Sequence, residues 1–106
     1  MRIYGLKNCD SCRKAMKALP GAELVDVRVE GVPEDVLTRA YEQFGDALLN
    51  TRSTTWRGLD DSTRSMPPLE LIKAHPALMK RPLIEANGQL FLSWNKEVGE
   101  QVKAML

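Results

Sequence analysis

Two cysteines with C-x-x-C spacing are the residues of this chain best suited to covalent chemistry. The motif is Cys9-Asp10-Ser11-Cys12, and it lies between a short β-prone run and a stretch of good helix formers. The N–H groups at a helix N-terminus stabilise a thiolate, which is the nucleophilic form of cysteine. We therefore expect Cys9 to titrate below an ordinary thiol and to attack disulfides. Cys12, one helical turn along, would attack the mixed disulfide and release the reduced product.

The local charge around the motif favours the same chemistry. The whole chain has 15 basic and 14 acidic residues and a net charge of +1. The segment that contains both cysteines is strongly basic, with one acid, Asp10, among the cations Arg2, Lys7, Arg13, Lys14 and Lys17. Three of these cations, Lys7, Arg13 and Lys14, lie nearest to Cys9 in sequence and are expected to stabilise its thiolate.

Other roles for these residue types remain open. A structural zinc site needs about four ligands, which two cysteines and the lone His75 do not supply, so no metal is predicted. Free cysteines are often small core residues, and this is an alternative for Cys12 in particular. His75 is expected at a helix end rather than in a catalytic pair. Trp56 and Trp94 are expected to pack in the core, with a partner surface as the alternative.

Lys80-Arg81-Pro82-Leu83 is the second segment of chemical interest. An X-Pro bond at the entry to a strand adopts the cis form at small cost, whereas proline within a strand would break the ladder. A cis Pro82 would expose backbone for pairing with a peptide-like substrate, and Arg81 would present its guanidinium to an oxyanion or carboxylate. Arg52 and Arg57 are candidates for the same pocket. The alternative for each arginine is simple solvation.

The N-terminal half has the pattern of strand, helix, strand and helix. A strand is predicted over Arg2–Leu6 and a helix over Asp10–Leu19. Glu23–Val29 alternates between apolar and polar residues, which is typical of a strand. Pro33–Gly45 brackets a second helix with acids in its first turn. A connection of this length is usual between parallel strands.

The C-terminal half predicts a polar segment, a hairpin and a final helix. Asn50–Pro68 has little periodicity and is expected to hold short helical turns before a helix near Leu69–Ala74. Asn87-Gly88 between two apolar runs indicates a hairpin with a type I′ turn, and Asn95 is a candidate helix cap. The order βαβα, a helical insert at about 31–80, then ββα predicts a thioredoxin-like α/β fold. We expect a mixed, mostly parallel sheet with helices on both faces.

Composition excludes several classes of protein. With 106 residues, of which 43% are hydrophobic and 27% charged, a single soluble domain over residues 1–106 is expected. No apolar run approaches the roughly 18 residues of a membrane span, and two cysteines are too few for a disulfide-built secreted domain. A net charge of +1 gives no field that attracts nucleic acid or membrane. No signal-peptide core is visible, so we expect a cytoplasmic protein.

Four separated segments resemble one protein family. They are Tyr4–Asp10, Ser11–Ala15, Leu49–Arg57 and Met79–Leu83. In this order they resemble the ArsC/Spx family, the arsenate-reductase-like branch of the thioredoxin superfamily, and most closely its YffB-like subgroup. The likeness runs from end to end, with shortened connections around Pro20-Gly21 and Asp60–Pro67.

The resemblance implies roles for individual residues. Cys9 matches the family's nucleophile, and Cys12 stands where Spx-like members hold a second redox cysteine. Arg81 matches the arginine before the family's cis-proline, here Pro82. The predicted catalytic residues are Cys9, Cys12 and Arg81. The predicted substrate-binding residues are Asn8, Arg13, Arg52, Arg57 and Pro82.

The arginines that arsenate-reducing members use for the oxyanion are the main departure from the family. Asn50 stands where the first is expected, with Arg52 two residues further on, and the last is replaced near Ser93-Trp94. Each lost charge-assisted hydrogen bond is worth about 1.5–3 kcal/mol. Efficient arsenate reduction is therefore not expected.

The leading interpretation is a cytosolic thiol-disulfide oxidoreductase without a bound cofactor. The resemblance implies glutathione as co-substrate, with Cys12 or a glutathione resolving the adduct on Cys9; a protein disulfide or glutaredoxin are further candidate partners. One alternative is an Spx-type redox regulator that binds RNA polymerase, which the presence of Cys12 favours. The other is arsenate reduction proper.

Overall fold

The structure is a computed structural model that describes residues 1–105. Within them the chain forms two compact units. The first unit comprises Met1–Glu30 and the segment from Arg81 onward, and the second is Gly31–Lys80. The expectation of a single domain with an insert stays a prediction.

The first unit holds the strands, and the second is built from helices and turns. In chain order the elements are β1 (Arg2–Gly5), α1 (Asp10–Ala18), β2 (Glu23–Asp26), α2 (Val27–Glu30), α3 (Glu34–Phe44), a 3₁₀ turn (Gly45–Leu48), α4 (Thr54–Arg57), α5 (Asp61–Arg64), α6 (Pro68–Ala74), a second 3₁₀ turn (Pro76–Leu78), β3 (Leu83–Ala86), β4 (Gln89–Leu92) and α7 (Lys96–Lys103). The short helices α4 and α5 confirm the expectation of helical turns in the polar segment.

The four strands form a mixed sheet in the order β2-β1-β3-β4. β1 and β2 are parallel, with Ile3 opposite Leu24. β3 lies antiparallel to β1, with Ile84 opposite Ile3, and β3 and β4 form the predicted antiparallel hairpin. The α/β class with a mixed sheet is confirmed, but the expectation of a mostly parallel sheet is wrong. Only the β1–α1–β2 crossover gives a parallel pair, because the hairpin inserts its first strand against β1.

One face of this sheet is covered by α1 and α7. Ile3 and Ile84 are fully buried there against Ala15 of α1, Leu19 at the C-cap of α1 and Val102 of α7. The spacing of Ala15 and Leu19 places both on one side of the helix. Full burial of an aliphatic side chain contributes about 1.5–3 kcal/mol, so this contact fixes α1, and with it the C-x-x-C motif, on the sheet.

β2 is shorter than the alternation predicts. Its last residue is Asp26, and the segment assigned to the strand's end is the short helix α2 instead. Asp26 Oδ1 accepts a hydrogen bond from the Arg28 N–H at 3.0 Å, and such local side-chain bonds compete with strand pairing. Val27 is fully buried whereas Val29 is 81% exposed, so these two residues do not share the face that a strand would give them.

The turn and the final helix cap agree with the sequence. Asn87 and Gly88 both have positive φ, 51° and 76°, as a type I′ turn requires. Asn95 Oδ1 accepts from the Val98 N–H at 2.8 Å and caps α7. These features depend on neighbouring residues alone, which is why the sequence predicts them.

The two tryptophans differ in their environments. Trp94 is partly buried against the core of the first unit, as expected. Trp56, on α4, is not part of that core; the Arg64 guanidinium lies 5.5 Å from its ring centroid and donates to its carbonyl oxygen at 3.2 and 3.3 Å. His75 ends α6, as expected, with its N–H donating to Leu71 O at 2.7 Å.

Candidate active site

Cys9 is the N-cap residue of α1. Its backbone is extended (φ −93°, ψ 123°), and its carbonyl oxygen accepts the first helical hydrogen bond, from the Arg13 N–H at 2.9 Å. The Cys9 N–H donates to Leu6 O at 3.3 Å and closes the turn between β1 and α1. The side chain is partly exposed. The thiol therefore lies beside the free N–H groups of the first helical turn, where solvent reaches it.

The surroundings of Cys9 Sγ favour its thiolate. Partial burial acts to raise the pKa of Cys9, but hydrogen bonds from the Cys12 N–H, the Cys12 thiol and the Ser11 N–H, together with the positive charge of Arg81, outweigh it and lower the pKa below its ordinary value. These are the donors expected at a helix N-terminus.

The cation that acts on Cys9 differs from the sequence-based expectation. Arg81 is the charged side chain among the main causes of the lowered pKa. Arg13 instead donates through Nε to Lys7 O at 2.9 Å. Proximity in sequence therefore pointed to Lys7, Arg13 and Lys14, whereas folding brings the effective charge from the opposite end of the chain.

Cys12 has the opposite electrostatic environment. Cys12 is 1% exposed, and this burial is the largest cause that raises the pKa of Cys12 to about 11. The hydrogen bond to Cys9 and the negative charge of Cys9 act in the same direction, whereas the Leu6 N–H and the charge of Arg81 oppose them. The two thiols titrate as a pair in which the first proton leaves Cys9. With a pKa of about 11, Cys12 keeps its proton over the range in which Cys9 becomes a thiolate.

Gly5 makes room for Cys12 and was missed in the sequence. A Cβ built at Gly5 would overlap Cys12 Sγ and lie 3.3 Å from Cys12 Cβ. The position at the end of β1 therefore requires a residue without a side chain. The available signal was a glycine ending a predicted strand shortly before the C-x-x-C motif, which indicates a close approach of another group to the backbone.

The Arg81–Pro82 peptide bond is cis. Pro82 is buried, and its carbonyl oxygen accepts from the Ser93 N–H at 2.8 Å. This carbonyl already accepts one hydrogen bond within the chain, and pairing of the backbone beside Pro82 with a substrate stays a prediction. Arg81 itself is only partly exposed and acts on both cysteines.

Arg52 and Arg57 both belong to the second unit. Arg52 lines a polar cavity of about 300 Å³ together with Asn50 and Lys80, and its N–H donates to Asn50 Oδ1 at 3.1 Å. Arg57 does not line this cavity; its carbonyl oxygen accepts from Arg64 at 3.2 Å. Lys80 also lines this cavity; the sequence points to its segment but does not predict Lys80 itself as a binding residue.

The remaining predicted binding residues lie in the first unit. Asn8 is exposed in the turn before Cys9, next to the thiol in sequence. The cysteines, Arg13, Arg81 and Pro82 share this unit. Among residues 1–105 no group of three or more metal-ligating side chains occurs, and no helix there is long and apolar enough to cross a membrane.

Comparisons with known proteins place the chain among small thioredoxin-like proteins. A Haemophilus influenzae protein described as uncharacterized is 39% identical over 104 residues, covering 90% of this chain and 91% of its own. The global transcriptional regulator Spx of Bacillus subtilis is 30% identical over 105 residues, covering 90% of this chain and 80% of its own.

Solved structures agree with these relatives. A structure of the YFFB protein has a TM-score of 0.85 at 27% identity and covers 99% of this chain and 97% of its own. An arsenate reductase (ArsC) related protein from Brucella melitensis has a TM-score of 0.68 at 32% identity and covers 94% of this chain and 91% of its own. The ArsC family model matches residues 4–102, so both the thioredoxin-like fold and the predicted family are confirmed: the chain belongs to the ArsC family.

Proposed function

We propose that this ArsC-family chain is a thiol-disulfide oxidoreductase in which Cys9 attacks and Cys12 resolves. The observation that carries the proposal is the opposite perturbation of two adjacent thiols: the pKa of Cys9 is lowered at a helix N-terminus and that of buried Cys12 is raised to about 11. Once Cys9 has lost its proton, the pair supplies one nucleophile and one proton donor. Solvent reaches Cys9 but not Cys12, so the first attack belongs to Cys9.

The reaction has two exchange steps. The Cys9 thiolate attacks one sulfur of a substrate disulfide R–S–S–R′, which forms Cys9–S–S–R and releases R′–S⁻. Cys12, after losing its proton, then attacks Cys9 Sγ, which forms the Cys9–Cys12 disulfide and releases R–S⁻. Two thiols of an external reductant regenerate the two cysteines and are themselves oxidised to a disulfide.

Formation of the mixed disulfide prepares Cys12 for the second step. The thiolate charge of Cys9 and the hydrogen bond between the thiols help to raise the pKa of Cys12. Both are lost when Cys9 Sγ becomes part of a disulfide, so the pKa of Cys12 falls at the moment when Cys12 must act as a nucleophile. Burial, the largest cause, remains and keeps Cys12 unreactive toward outside reagents.

Glutathione is the external thiol that we propose, and glutaredoxin is the candidate protein partner. The proposed compartment is the cytosol, where such thiols are kept reduced. Glutathione carries two carboxylates, which arginine binds well. Arg81 in the first unit is one candidate binding group, and the Arg52–Lys80 cavity in the second unit is a separate candidate. A chemical-shift titration with glutathione tests this: shifts confined to residues other than these and Cys9 would contradict it.

Thiol trapping with intact mass tests the central proposal. Cys9→Ser should abolish exchange with glutathione disulfide, while Cys12→Ser should accumulate a glutathione adduct on Cys9. The wild-type chain, oxidised in the same way, should instead lose two mass units through an internal disulfide. Equal exchange by the wild type and Cys9→Ser would refute the proposal.

An Spx-type redox regulator is the second candidate function. The 30% identity to an Spx protein and the presence of both cysteines favour it. This function requires retention of RNA polymerase from a lysate by the chain in one redox state and not the other. Arsenate reduction is a third candidate. Asn50 at the expected position of an oxyanion arginine weakens it, and arsenate-dependent consumption of glutathione tests it.

A further inference from the structure

A groove lies between α1 and α7 in the first unit, apart from the two cysteines. It has a volume of about 520 Å³. The residues of the groove that the argument uses are Lys14, Ala18, Trp94, Lys96, Gly99 and Lys103. Cys9 is the N-cap residue of α1. The groove therefore runs along the helix whose N-terminus holds the reactive thiol.

The walls of the groove are basic. Lys14, Lys96 and Lys103 line it against a single acid, Glu100. No ion pair among residues 1–105 engages any of the three lysines. The N-terminus of α7 is already capped by the Asn95 side chain, so the lysines rather than the helix end supply the positive charge. The whole chain has a net charge of only +1, so the groove has a local excess of positive charge.

The floor of the groove is apolar. Trp94 is partly exposed there, and its ring lies on Gly99, where a Cβ would stand 3.3 Å from Trp94 Cζ2 and 3.4 Å from Cη2. A side chain at position 99 would thus crowd the ring. An aromatic floor with cationic walls matches an acidic segment that also carries an apolar side chain.

We propose that this groove binds an acidic peptide segment of protein substrates, next to the disulfide that Cys9 attacks. The inference rests on the proposed function. Lys14 follows Cys9 by five residues, a rise of about 7.5 Å along the helix axis, so a substrate segment that extends from the disulfide along α1 reaches the groove. The lysines then select protein disulfides with acidic flanks over neutral ones.

Two peptide disulfides test the selection. Each is a short peptide whose single cysteine is joined to pyridine-2-thiol; one carries aspartates beyond the cysteine and the other serines. Attack by the Cys9 thiolate forms the peptide–Cys9 disulfide and releases pyridine-2-thione, whose absorbance gives the rate. At about 0.01 M salt the acidic peptide should react about three- to tenfold faster, the effect of about two exposed ion pairs, and at about 1 M salt the difference should vanish.

Variants on α7 separate the groove from the thiol chemistry. Lys96→Gln/Lys103→Gln should bring the ratio of the two rates to about one and leave the serine peptide's rate unchanged. Lys17→Gln/Arg28→Gln removes the same charge from residues outside the groove and should keep the ratio. The docking site is refuted if Lys96→Gln/Lys103→Gln keeps the wild-type ratio of the two rates. It is also refuted if the ratio falls equally in Lys96→Gln/Lys103→Gln and Lys17→Gln/Arg28→Gln. If the wild type does not react with the serine peptide at all, the proposed function is refuted instead.

Binding without chemistry gives an independent measurement. Trp56→Phe leaves Trp94 as the sole tryptophan, and an aspartate peptide without cysteine should change its fluorescence saturably. Lys96→Gln/Lys103→Gln should abolish this change. If an oligonucleotide of equal charge competes as strongly as the peptide, the groove is a general polyanion surface and the proposal is refuted. The proposal is also refuted if the peptide causes no change in Trp94 fluorescence.

Discussion

A single methyl group added at Gly5 tests whether the close approach of β1 positions the Cys12 thiol. The new Cβ would overlap Cys12 Sγ and lie 3.3 Å from Cys12 Cβ. Gly5 does not have the positive φ of Gly21, Gly31 or Gly88, so an alanine meets steric resistance only. Overpacking of this kind costs about 1–3 kcal/mol. We expect Gly5→Ala to lower the free energy of unfolding by this amount in urea denaturation of the reduced protein.

Removal of the sulfur is the decisive control. Cys12→Ala alone leaves a small void beside β1, which the methyl group of Gly5→Ala would fill. The double variant should therefore lose less free energy of unfolding than the sum of the losses in the two single variants, by about 1 kcal/mol or more. Gly58→Ala is the matched control, since its Cβ would meet only backbone oxygens at 3.6 Å; its effect should stay within about 0.5 kcal/mol.

The Gly5→Ala variant also has a chemical readout. A displaced Cys12 would donate less well to Cys9 Sγ, and these hydrogen bonds help to lower the pKa of Cys9. The rate of Cys9 alkylation by iodoacetamide should consequently rise at higher pH than in the wild type. Additivity of Gly5→Ala and Cys12→Ala within about 0.3–0.5 kcal/mol, with an unchanged pH profile, would refute the reasoning.

Four further variants test the site and the fold. Arg81→Gln should raise the pKa of Cys9, because the positive charge of Arg81 lowers it, and should slow alkylation at neutral pH; an unchanged pH profile contradicts this. Asn95→Ala removes the cap of α7 and should cost about 0.5–2 kcal/mol in urea unfolding. Val27→Ala should lower the free energy of unfolding by about 1.5–3 kcal/mol because Val27 is fully buried, whereas Val29→Ala should change it by no more than about 0.5 kcal/mol. Equal losses would contradict the end of β2 at Asp26 and favour a strand that includes both valines.

Features set by neighbouring residues could be predicted from the sequence. The placement of Cys9 at the start of α1, the positive φ values of Asn87 and Gly88, and the cap at Asn95 each depend on a few consecutive residues. The end of β2 could not be predicted, because the alternation of valines over so short a stretch does not reveal that Asp26 will bond to the Arg28 N–H.

Features set by strand pairing could not be predicted in the same way. A βαβ pattern implies a parallel pair but does not say which edge of it the hairpin joins. The hairpin joins at β1, with Leu83 opposite Tyr4, and this choice gives the mixed sheet. The contact between Gly5 and Cys12 also depends on how α1 lies against the sheet, which the sequence leaves open.

The strand pairing that the sequence left open is also what completes the site. Leu83 pairs with Tyr4 on β1, and Arg81 stands two residues before it, so the insertion of β3 beside β1 brings the guanidinium to the thiols at the far end of the same strand. Arg81 then acts on Cys9 and on Cys12. That charge lowers the pKa of both thiols, so its direction does not distinguish them. Burial of Cys12 against Gly5 and the helix donors at Cys9 decide which thiol reacts. The donors follow from a C-x-x-C motif that begins at the N-cap, whereas the burial follows from the packing of α1 on the sheet.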